Sequence, residues 1–215
     1  MKKISMIIGA RPNFMKAFPV YEALKDDFDL TLIHTGQHFD ENMSDVFFEE
    51  MNIPKPKYNL QINSLDHGAM TGRMLEGIEG IIKDEKPDLL LVYGDTNSTL
   101  AGALAAKKLH VKVAHVEAGL RSFNMEMPEE VNRILTDRIS DYLFCPTDTA
   151  IDNLRDEGYD NISCAVVKSG DVMQDAAYFY AEISSEKSTI ISELGLEKFC
   201  LATLHRAENT NDPEK

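Results

Sequence analysis

Residues 89–119 read LLLVYGDTNSTLAGALAAKKLHVKVAHVEAG, and this stretch decides the fold. Its first five residues, Leu89–Tyr93, form a short apolar run, which is typical of a strand that is covered on both faces. Turn and capping residues follow, and the Ala- and Leu-rich segment 99–108 predicts a helix. A second apolar run predicts a strand over residues 111–116. This order indicates two strands of a parallel sheet that are joined by a helix.

A carboxylate follows each of these two predicted strands. Asp95 comes two residues after the first strand, and Glu117 comes directly after the second. The carboxyl ends of parallel strands form the edge at which open α/β sheets bind their ligands. Two carboxylates placed there in succession indicate a functional site rather than packing.

Strands and helices alternate along the rest of the chain as well, which predicts an α/β fold with a doubly wound, Rossmann-like parallel sheet. Further strands are predicted over residues 3–8, 30–34, 142–145 and 162–167. Further helices are predicted after the turn over residues 9–13 as far as about residue 25, over residues 66–83 and 128–139, from residue 147 onward, and up to residue 183. In the helix over 66–83, apolar residues from Met70 to Ile82 recur at helical spacing, as in a core face or a subunit contact.

The sequence divides into a domain over residues 1–183 and a segment over residues 184–215 that holds a linker and the first elements of an incomplete second domain. The polar run 184–188 predicts the linker, and an apolar run predicts a strand over residues 199–203. One strand with its turn buries too little apolar surface to form a domain. We expect either that this segment packs on the first domain or that the chain is the front part of a larger protein.

The composition disfavours several classes of partner. There are 22 basic and 36 acidic residues, and the net charge of −14 repels nucleic acid and anionic membrane surfaces. No apolar run is long enough to span a bilayer, and the amino terminus lacks the features of a secretory signal. The three cysteines Cys145, Cys164 and Cys200 are widely spaced, which favours reduced thiols in a cytoplasmic protein over disulfides or zinc.

An anionic substrate would require local cations to overcome this charge. Arg11 lies in the first strand-to-helix turn, and Lys16 follows about one helical turn later, where both suit a phosphate or carboxylate. A solvated arginine is the alternative for Arg11. The first turn lacks the G-x-G-x-x-G dinucleotide fingerprint. His34 and His38 would bind a metal together only on a helix, which Gly36 disfavours, so we predict no metal and no cofactor.

Seven motifs in order along the chain resemble the non-hydrolysing UDP-N-acetylglucosamine 2-epimerases. They are GARPNFMK (9–16), TGQHFD (35–40), GDTNSTLAGALAA (94–106), HVEAGLRS (115–122), PEEVNR (128–133), GDVMQDA (170–176) and HRAEN (205–209). The resemblance implies the N-terminal half of a GT-B-like two-domain architecture, with the active site between two Rossmann-like domains. It also implies interconversion of UDP-GlcNAc and UDP-ManNAc for surface polysaccharides, by elimination of UDP to 2-acetamidoglucal and re-addition.

The family's functional residues map onto positions of this chain. The resemblance implies catalytic roles for Asp95, Glu117, Glu129 and His205. It implies that Arg11 binds the diphosphate, with Lys16 and Arg206 as weaker candidates. It also implies an allosteric UDP-GlcNAc site at Gln37, His38 and Arg73. On local grounds alone, Glu129 is an ordinary acidic residue in the first turn of a helix. The family also implies a homodimer, with the apolar stripe from Met70 to Ile82 as a candidate interface. Family members carry a whole second domain, so we expect weak activity from this chain alone.

Three other functions remain open. The hydrolysing 2-epimerases, which release UDP and ManNAc, typically carry a G-G-E-type sequence where this chain has Glu117-Ala118-Gly119, and they lack the PEE match. A non-catalytic domain that binds nucleotide sugars is the second alternative. A glycosyltransferase is the third, and only the fold analogy supports it.

Overall fold

The computed structural model describes residues 1–37 and 54–203 of the chain. The strands there are β1 (Lys3–Ile8), β2 (Asp29–His34), β3 (Tyr58–Asn59), β4 (Leu89–Tyr93), β5 (Lys112–Val116), β6 (Tyr142–Cys145) and β7 (Ala165–Lys168). The helices are α1 (Arg11–Leu24), α2 (His67–Glu85), α3 (Asn97–Lys108), α4 (Pro128–Ile139), α5 (Asp148–Asp156), α6 (Val172–Lys187) and α7 (Ile190–Glu193), with a 3₁₀ turn over Tyr159–Asn161. The seven described strands form one parallel sheet in the order β3-β2-β1-β4-β5-β6-β7. The predicted doubly wound parallel sheet is confirmed.

The strand order reverses at β1, which lies between β2 and β4. Ile4 of β1 is in register with Leu30 of β2 and with Leu89 of β4. Because the chain winds away from this point in both directions, a crevice opens between the carboxyl ends of β1 and β4. The turns that follow these two strands therefore flank the position at which such sheets bind ligands.

An apolar core cluster joins β1, β2, β4 and β5 to α2 and α3. The apolar stripe of α2 belongs to this cluster, and Met74 and Ile78 are fully buried in it. Burial of one such side chain stabilises the fold by about 1.5–3 kcal/mol. The alternative that this stripe forms a subunit interface is therefore wrong for its buried members, because the chain's own core covers them.

The second half of the chain departs from the prediction in three places. The strand expected over residues 162–167 lies later, at Ala165–Lys168, because a bend at residues 162–163 follows the 3₁₀ turn. The expected linker over 184–188 is helical as far as Lys187, within α6. Residues 199–203 form no strand, and Leu201 is 85% exposed. An apolar run becomes a strand only where a neighbouring strand completes its hydrogen bonds, and none in the described part of the chain pairs with this segment.

The chain divides into two compact units, Met1–Ala177 and Tyr178–Lys215. The described part of the second unit contains α7, where Ile190 and Ile191 are about half exposed. The domain boundary near residue 183 remains a prediction. All the site geometry described below lies within the first unit.

Candidate active site

A cavity of about 220 Å³ lies at the carboxyl edge of the sheet, beside the point where the strand order reverses. It brings together Asp95, which follows β4, and Glu129, which lies in the first turn of α4. The lining residues are Ala10, Pro12, Gln37, His67, Asp95, Thr96, Asn97, Pro128, Glu129 and Asn132. Two of the carboxylates that were singled out from the sequence therefore face one space.

Gly94 fixes the turn that carries Asp95. Its φ of +63° is one that glycine adopts at little cost. Its backbone N–H donates to the carbonyl oxygen of Val116 (3.0 Å), and its own carbonyl oxygen lies 2.7 Å from Nε2 of His115. The backbone N–H and carbonyl groups of Gly94 are thus both bound to β5, which holds the Asp95 turn in a fixed position relative to Glu117.

Asp95 lies directly before the amino terminus of α3. Thr96 caps that helix by accepting a hydrogen bond from the backbone N–H of Thr99 (3.3 Å), and the helix dipole there favours a negative charge. The Asp95 carboxylate forms an ion pair with the Arg133 guanidinium and remains about one-third exposed. Asn132 donates to the Asp95 carbonyl oxygen (2.9 Å), so α4 orients both the side chain and the backbone of this residue.

Glu117 forms an ion pair with Lys16 of α1. Its φ of +70° is uncommon for a residue with a Cβ and costs on the order of 1–3 kcal/mol. The backbone N–H groups of Glu117 and Ala118 both donate to the carbonyl oxygen of Phe144 in β6, which retains this conformation. The Lys16 side chain is only 10% exposed, so the ammonium group is held near the carboxylate.

Glu129 and Glu130 are adjacent in α4 and have opposite surroundings. Glu129 is exposed and lines the cavity, whereas Glu130 is buried. The Glu130 carboxylate accepts hydrogen bonds from the backbone N–H groups of Ser122 (3.0 Å) and Phe123 (2.8 Å) and pairs with Arg133. Burial alone would raise the pKa of Glu130, but these donors outweigh it and lower that pKa. Glu130 therefore holds the 122–123 loop and Arg133 in place.

A set of hydrogen-bonded side chains behind the site, buried except for that of Glu157, was not singled out from the sequence. His115 bonds Asp137 (2.7 Å), and Asp137 also accepts hydrogen bonds from Arg121 (2.7 Å) and from the backbone N–H of Gly119 (3.1 Å). Arg121 continues the set with a bidentate pair to Glu157 (2.6 and 2.8 Å). The signal in the sequence was a histidine in the middle of the apolar strand VAHV, which needs a buried polar partner.

The remaining predicted residues lie in different places. Gln37 lines the cavity and accepts hydrogen bonds from the backbone N–H (3.1 Å) and hydroxyl (2.7 Å) of Ser98. Arg11 is the first residue of α1, directly after the first turn. Arg73 is 70% exposed on α2, pairs with Glu76 and is not among the residues that line this cavity. Three predicted residues, His38, His205 and Arg206, lie outside the described residues.

Within residues 1–37 and 54–203, no three His, Cys, Asp or Glu side chains are placed to hold a metal ion. His34 is buried and its ring stacks on that of Phe14, with 5.2 Å between the ring centroids. Burial lowers its pKa to about 4, so the ring is neutral and serves packing. No helix in the same ranges is both long and apolar enough to cross a membrane.

The chain is similar to proteins that act on nucleotide sugars. The family model described as UDP-N-acetylglucosamine 2-epimerase matches residues 22–215. UDP-2,3-diacetamido-2,3-dideoxy-D-glucuronate 2-epimerase of Pseudomonas aeruginosa is 60% identical over 98% of this chain and 59% of its own length. The UDP-N-acetylglucosamine 2-epimerase of Methanocaldococcus jannaschii is 48% identical, over 99% of this chain and 59% of its own length. The chain thus spans about three-fifths of the length of these curated relatives.

Solved structures agree with these relatives. The crystal structure of the Methanocaldococcus jannaschii UDP-GlcNAc 2-epimerase in complex with UDP-GlcNAc and UDP has a TM-score of 0.91 and 47% identity, over 99% of this chain and 59% of that one. The Neisseria meningitidis UDP-GlcNAc 2-epimerase bound to UDP-GlcNAc has a TM-score of 0.80 and 32% identity, over 91% of this chain and 53% of that one. The predicted fold class, a Rossmann-like domain of the GT-B type, is confirmed.

Proposed function

Because the chain belongs to the UDP-N-acetylglucosamine 2-epimerase family, we propose that it inverts the configuration at C2 of a UDP-linked 2-acetamido sugar. In this proposal it converts UDP-GlcNAc to UDP-ManNAc without net hydrolysis. The observation that supports this proposal is the cavity at the point where the strand order reverses, in which Asp95 and Glu129 face the same space. Inversion requires proton-transfer groups around one carbon atom, and carboxylates are suited to that work.

The proposed reaction is an elimination followed by an addition. A base takes the C2 proton while the C1–O bond to UDP breaks, and a C1=C2 double bond forms, which gives 2-acetamidoglucal. A proton is then delivered to the opposite face of C2, and a UDP oxygen adds back to C1. The departing diphosphate is an anion, so a cation near C1 lowers the barrier to its departure.

The three carboxylates differ in ways that support different roles. Glu129 is exposed to the cavity, and Glu117 lies beside Lys16, so we assign proton transfer to these two. Asp95 is held by Arg133 and by the amino terminus of α3, which suits it to orient the sugar. Lys16 pairs with Glu117, and we propose that it stabilises the diphosphate together with Arg11 and Arg206, and that His205 is a further catalytic residue.

The size of the cavity limits what it can hold. A drug-sized ligand typically fills about 300–1,000 Å³, so a space of about 220 Å³ suits a sugar ring rather than a whole UDP-sugar. We propose that the acetamido sugar enters this cavity and that the uridine lies outside it.

A second substrate has a specific observation in its favour. Identity is 60% to the enzyme named for UDP-2,3-diacetamido-2,3-dideoxy-D-glucuronate, against 48% to the Methanocaldococcus jannaschii UDP-GlcNAc enzyme. That sugar differs by an acetamido group at C3 and a carboxylate, while the chemistry at C2 is the same. We therefore propose UDP-2-acetamido sugars as the substrate class, with these two as the compounds to compare.

Incubation of the purified chain with each compound in D2O, followed by proton NMR, tests the proposal. Deuterium at C2 together with the epimer, and without free UDP, supports a non-hydrolysing epimerase. Accumulation of free UDP and sugar supports the hydrolysing class, and binding without exchange supports a non-catalytic domain. The Methanocaldococcus jannaschii enzyme is the positive control. Because this chain spans 59% of that enzyme's length, absence of exchange contradicts the activity when a chain that carries the remaining length is inactive as well.

We also propose the location, oligomeric state and regulation of the protein. We expect a cytoplasmic homodimer that supplies precursors of surface polysaccharides, with UDP-GlcNAc as a regulator at Gln37, His38 and Arg73. Sedimentation analysis tests the dimer. Titration with UDP-GlcNAc of an Arg73→Ala variant tests the regulatory site, since a loss of sigmoidal kinetics is expected there.

A further inference from the structure

His115 forms a hydrogen bond through each of its ring nitrogens. Nδ1 lies 2.7 Å from a carboxylate oxygen of Asp137, and Nε2 lies 2.7 Å from the carbonyl oxygen of Gly94. Both His115 and Asp137 are almost completely buried, so bulk water does not compete for these hydrogen bonds.

The nature of these two partners determines how many protons the pair holds. A backbone carbonyl oxygen can only accept, so Nε2 must carry a proton. A proton must also lie between Nδ1 and Asp137, because two acceptors at 2.7 Å would repel each other. The other oxygen of Asp137 accepts hydrogen bonds from Arg121 and from Gly119, which favours the ionised carboxylate. The proton therefore belongs to His115, whose ring carries two.

The surrounding titratable groups agree with a charged pair. Arg121 pairs with Asp137 and also with Glu157, so the connected set contains two cations and two anions when His115 is charged. Burial would raise the pKa of Asp137, but His115 and Arg121 outweigh it and lower that pKa. Burial and the Asp137 charge raise the pKa of Cys145 to about 12, so this nearby thiol is neutral. The same two causes raise the pKa of Tyr159.

We propose that His115, bonded at both ring nitrogens, is an imidazolium in the native chain and acts as a positioning residue for the two carboxylate-bearing turns. It binds the carbonyl oxygen of Gly94, the residue before Asp95, and it lies two residues before Glu117 in β5. A charged donor makes a stronger hydrogen bond than a neutral one, so the ring fixes the distance between these turns. This role rests on the proposed function, whereas the charge state of the ring does not.

Nitrogen NMR of the ¹⁵N-histidine-labelled chain tests the charge state. We expect one ring whose two nitrogens both show one-bond coupling to a proton at pH 7, and we expect these signals to vanish in His115→Gln. His110→Asn, in an exposed turn, is the matched control and should retain them. If His115→Gln does not fold, assignment by elimination uses single variants of the other five histidines, which are His34, His38, His67, His110 and His205. A single protonated nitrogen at His115 would overturn the proposal.

Kinetics test the positioning role. In Asp137→Asn and His115→Gln, we expect kcat for C2 exchange to fall at least about tenfold, with KM changed less than about twofold, because the reacting groups lose their geometry while the binding groups remain. An unchanged kcat in folded His115→Gln would contradict the role. If a chain of the relatives' full length shows no exchange either, the proposed function fails, and the NMR result still decides the charge state.

Discussion

The ammonium group of Lys16 and the carboxylate of Glu117 form an ion pair directly against Gly94. A Cβ atom on Gly94 would lie 2.9 Å from Nζ of Lys16 and 3.2 Å from Oε2 of Glu117. Residues from α1 and from the end of β5 thus meet at a position where a side chain would displace the tip of Lys16. The proposed proton-transfer group and the proposed diphosphate cation are held together there by the shape of the backbone.

Gly94→Ala should therefore disrupt the site. The new methyl group meets the ion pair, and a φ of +63° strains alanine. We expect the free energy of unfolding to fall by about 1–3 kcal/mol and C2 exchange to fall at least about tenfold. Gly80→Ala is the control, because no atom lies within 4 Å of its Cβ position and it lies within α2. That change should stabilise the chain by about 0.4–1 kcal/mol, and equal effects of the two changes would contradict this account.

The neighbours Glu129 and Glu130 should respond oppositely to the same substitution. Glu129→Gln should abolish C2 exchange and change the free energy of unfolding by less than about 0.5 kcal/mol, because the side chain is exposed. Glu130→Gln should reduce stability by about 1–3 kcal/mol, because the N–H groups of Ser122 and Phe123 and the Arg133 guanidinium lose their buried anionic partner. Urea denaturation and deuterium exchange measure the two effects. A large loss of stability in Glu129→Gln would count against its place in the cavity.

Glu85 should make the fold sensitive to acid. Hydrogen bonds from Lys3, Lys57 and Tyr58 outweigh burial and lower its pKa from 4.5 to about 2. A lowered pKa gives stability that is complete above the ordinary value and is lost as the pH falls toward the folded value. We expect about 2 kcal/mol of stability to disappear between pH 4.5 and pH 2.

The Glu85→Gln variant should lose that part of the pH dependence. Glu76→Gln is the matched control, because Glu76 lies on the same helix with its side chain 76% exposed. Urea midpoints measured at intervals of pH give the comparison. If the Glu85→Gln curve were parallel to that of the unmodified chain, Glu85 would not be the responsible group.

The cysteines should differ in their reactivity toward alkylating agents. Cys145 is buried, and burial raises its pKa to about 12, so almost none of it is thiolate at pH 8. Cys200 is exposed. Iodoacetamide should modify Cys200 in the native chain and Cys145 only in urea beyond the unfolding midpoint, as peptide mass spectrometry would show. Cys200→Ser should remove the reaction at that position, and equal rates at Cys145 and Cys200 in the native chain would contradict the burial of β6.

The sequence predicted the elements whose signals are local. Leu89–Tyr93 is an unbroken apolar run, and Pro128–Ile139 begins with proline and two acidic residues, and both elements have the predicted bounds. The strand β3 is only two residues long and depends on pairing with β2, so no local pattern identified it. Residues 199–203 show the opposite outcome. Their apolar pattern suits a strand, but no strand in the described part of the chain pairs with them.

The same distinction applies to the candidate site. Asp95 and Glu117 could be located at the sheet edge because each lies within two residues of the end of an apolar run. The His115–Asp137 bond joins residues 22 positions apart, on β5 and α4, and no periodicity links them. The different surroundings of Glu129 and Glu130 depend on the 122–123 loop, whose conformation the sequence does not determine locally.

The buried pair of His115 and Asp137 also bears on how the chain folds. An intermediate in which β5 has joined the sheet while α4 remains detached would hold an uncompensated histidine charge, or a neutral ring without its partner, inside the apolar layer. Such a partly assembled species is high in free energy, so β5 and α4 should form as one cooperative unit. Their amide protons should therefore exchange with solvent together, through a single opening event, even though 11 residues of loop separate the two elements.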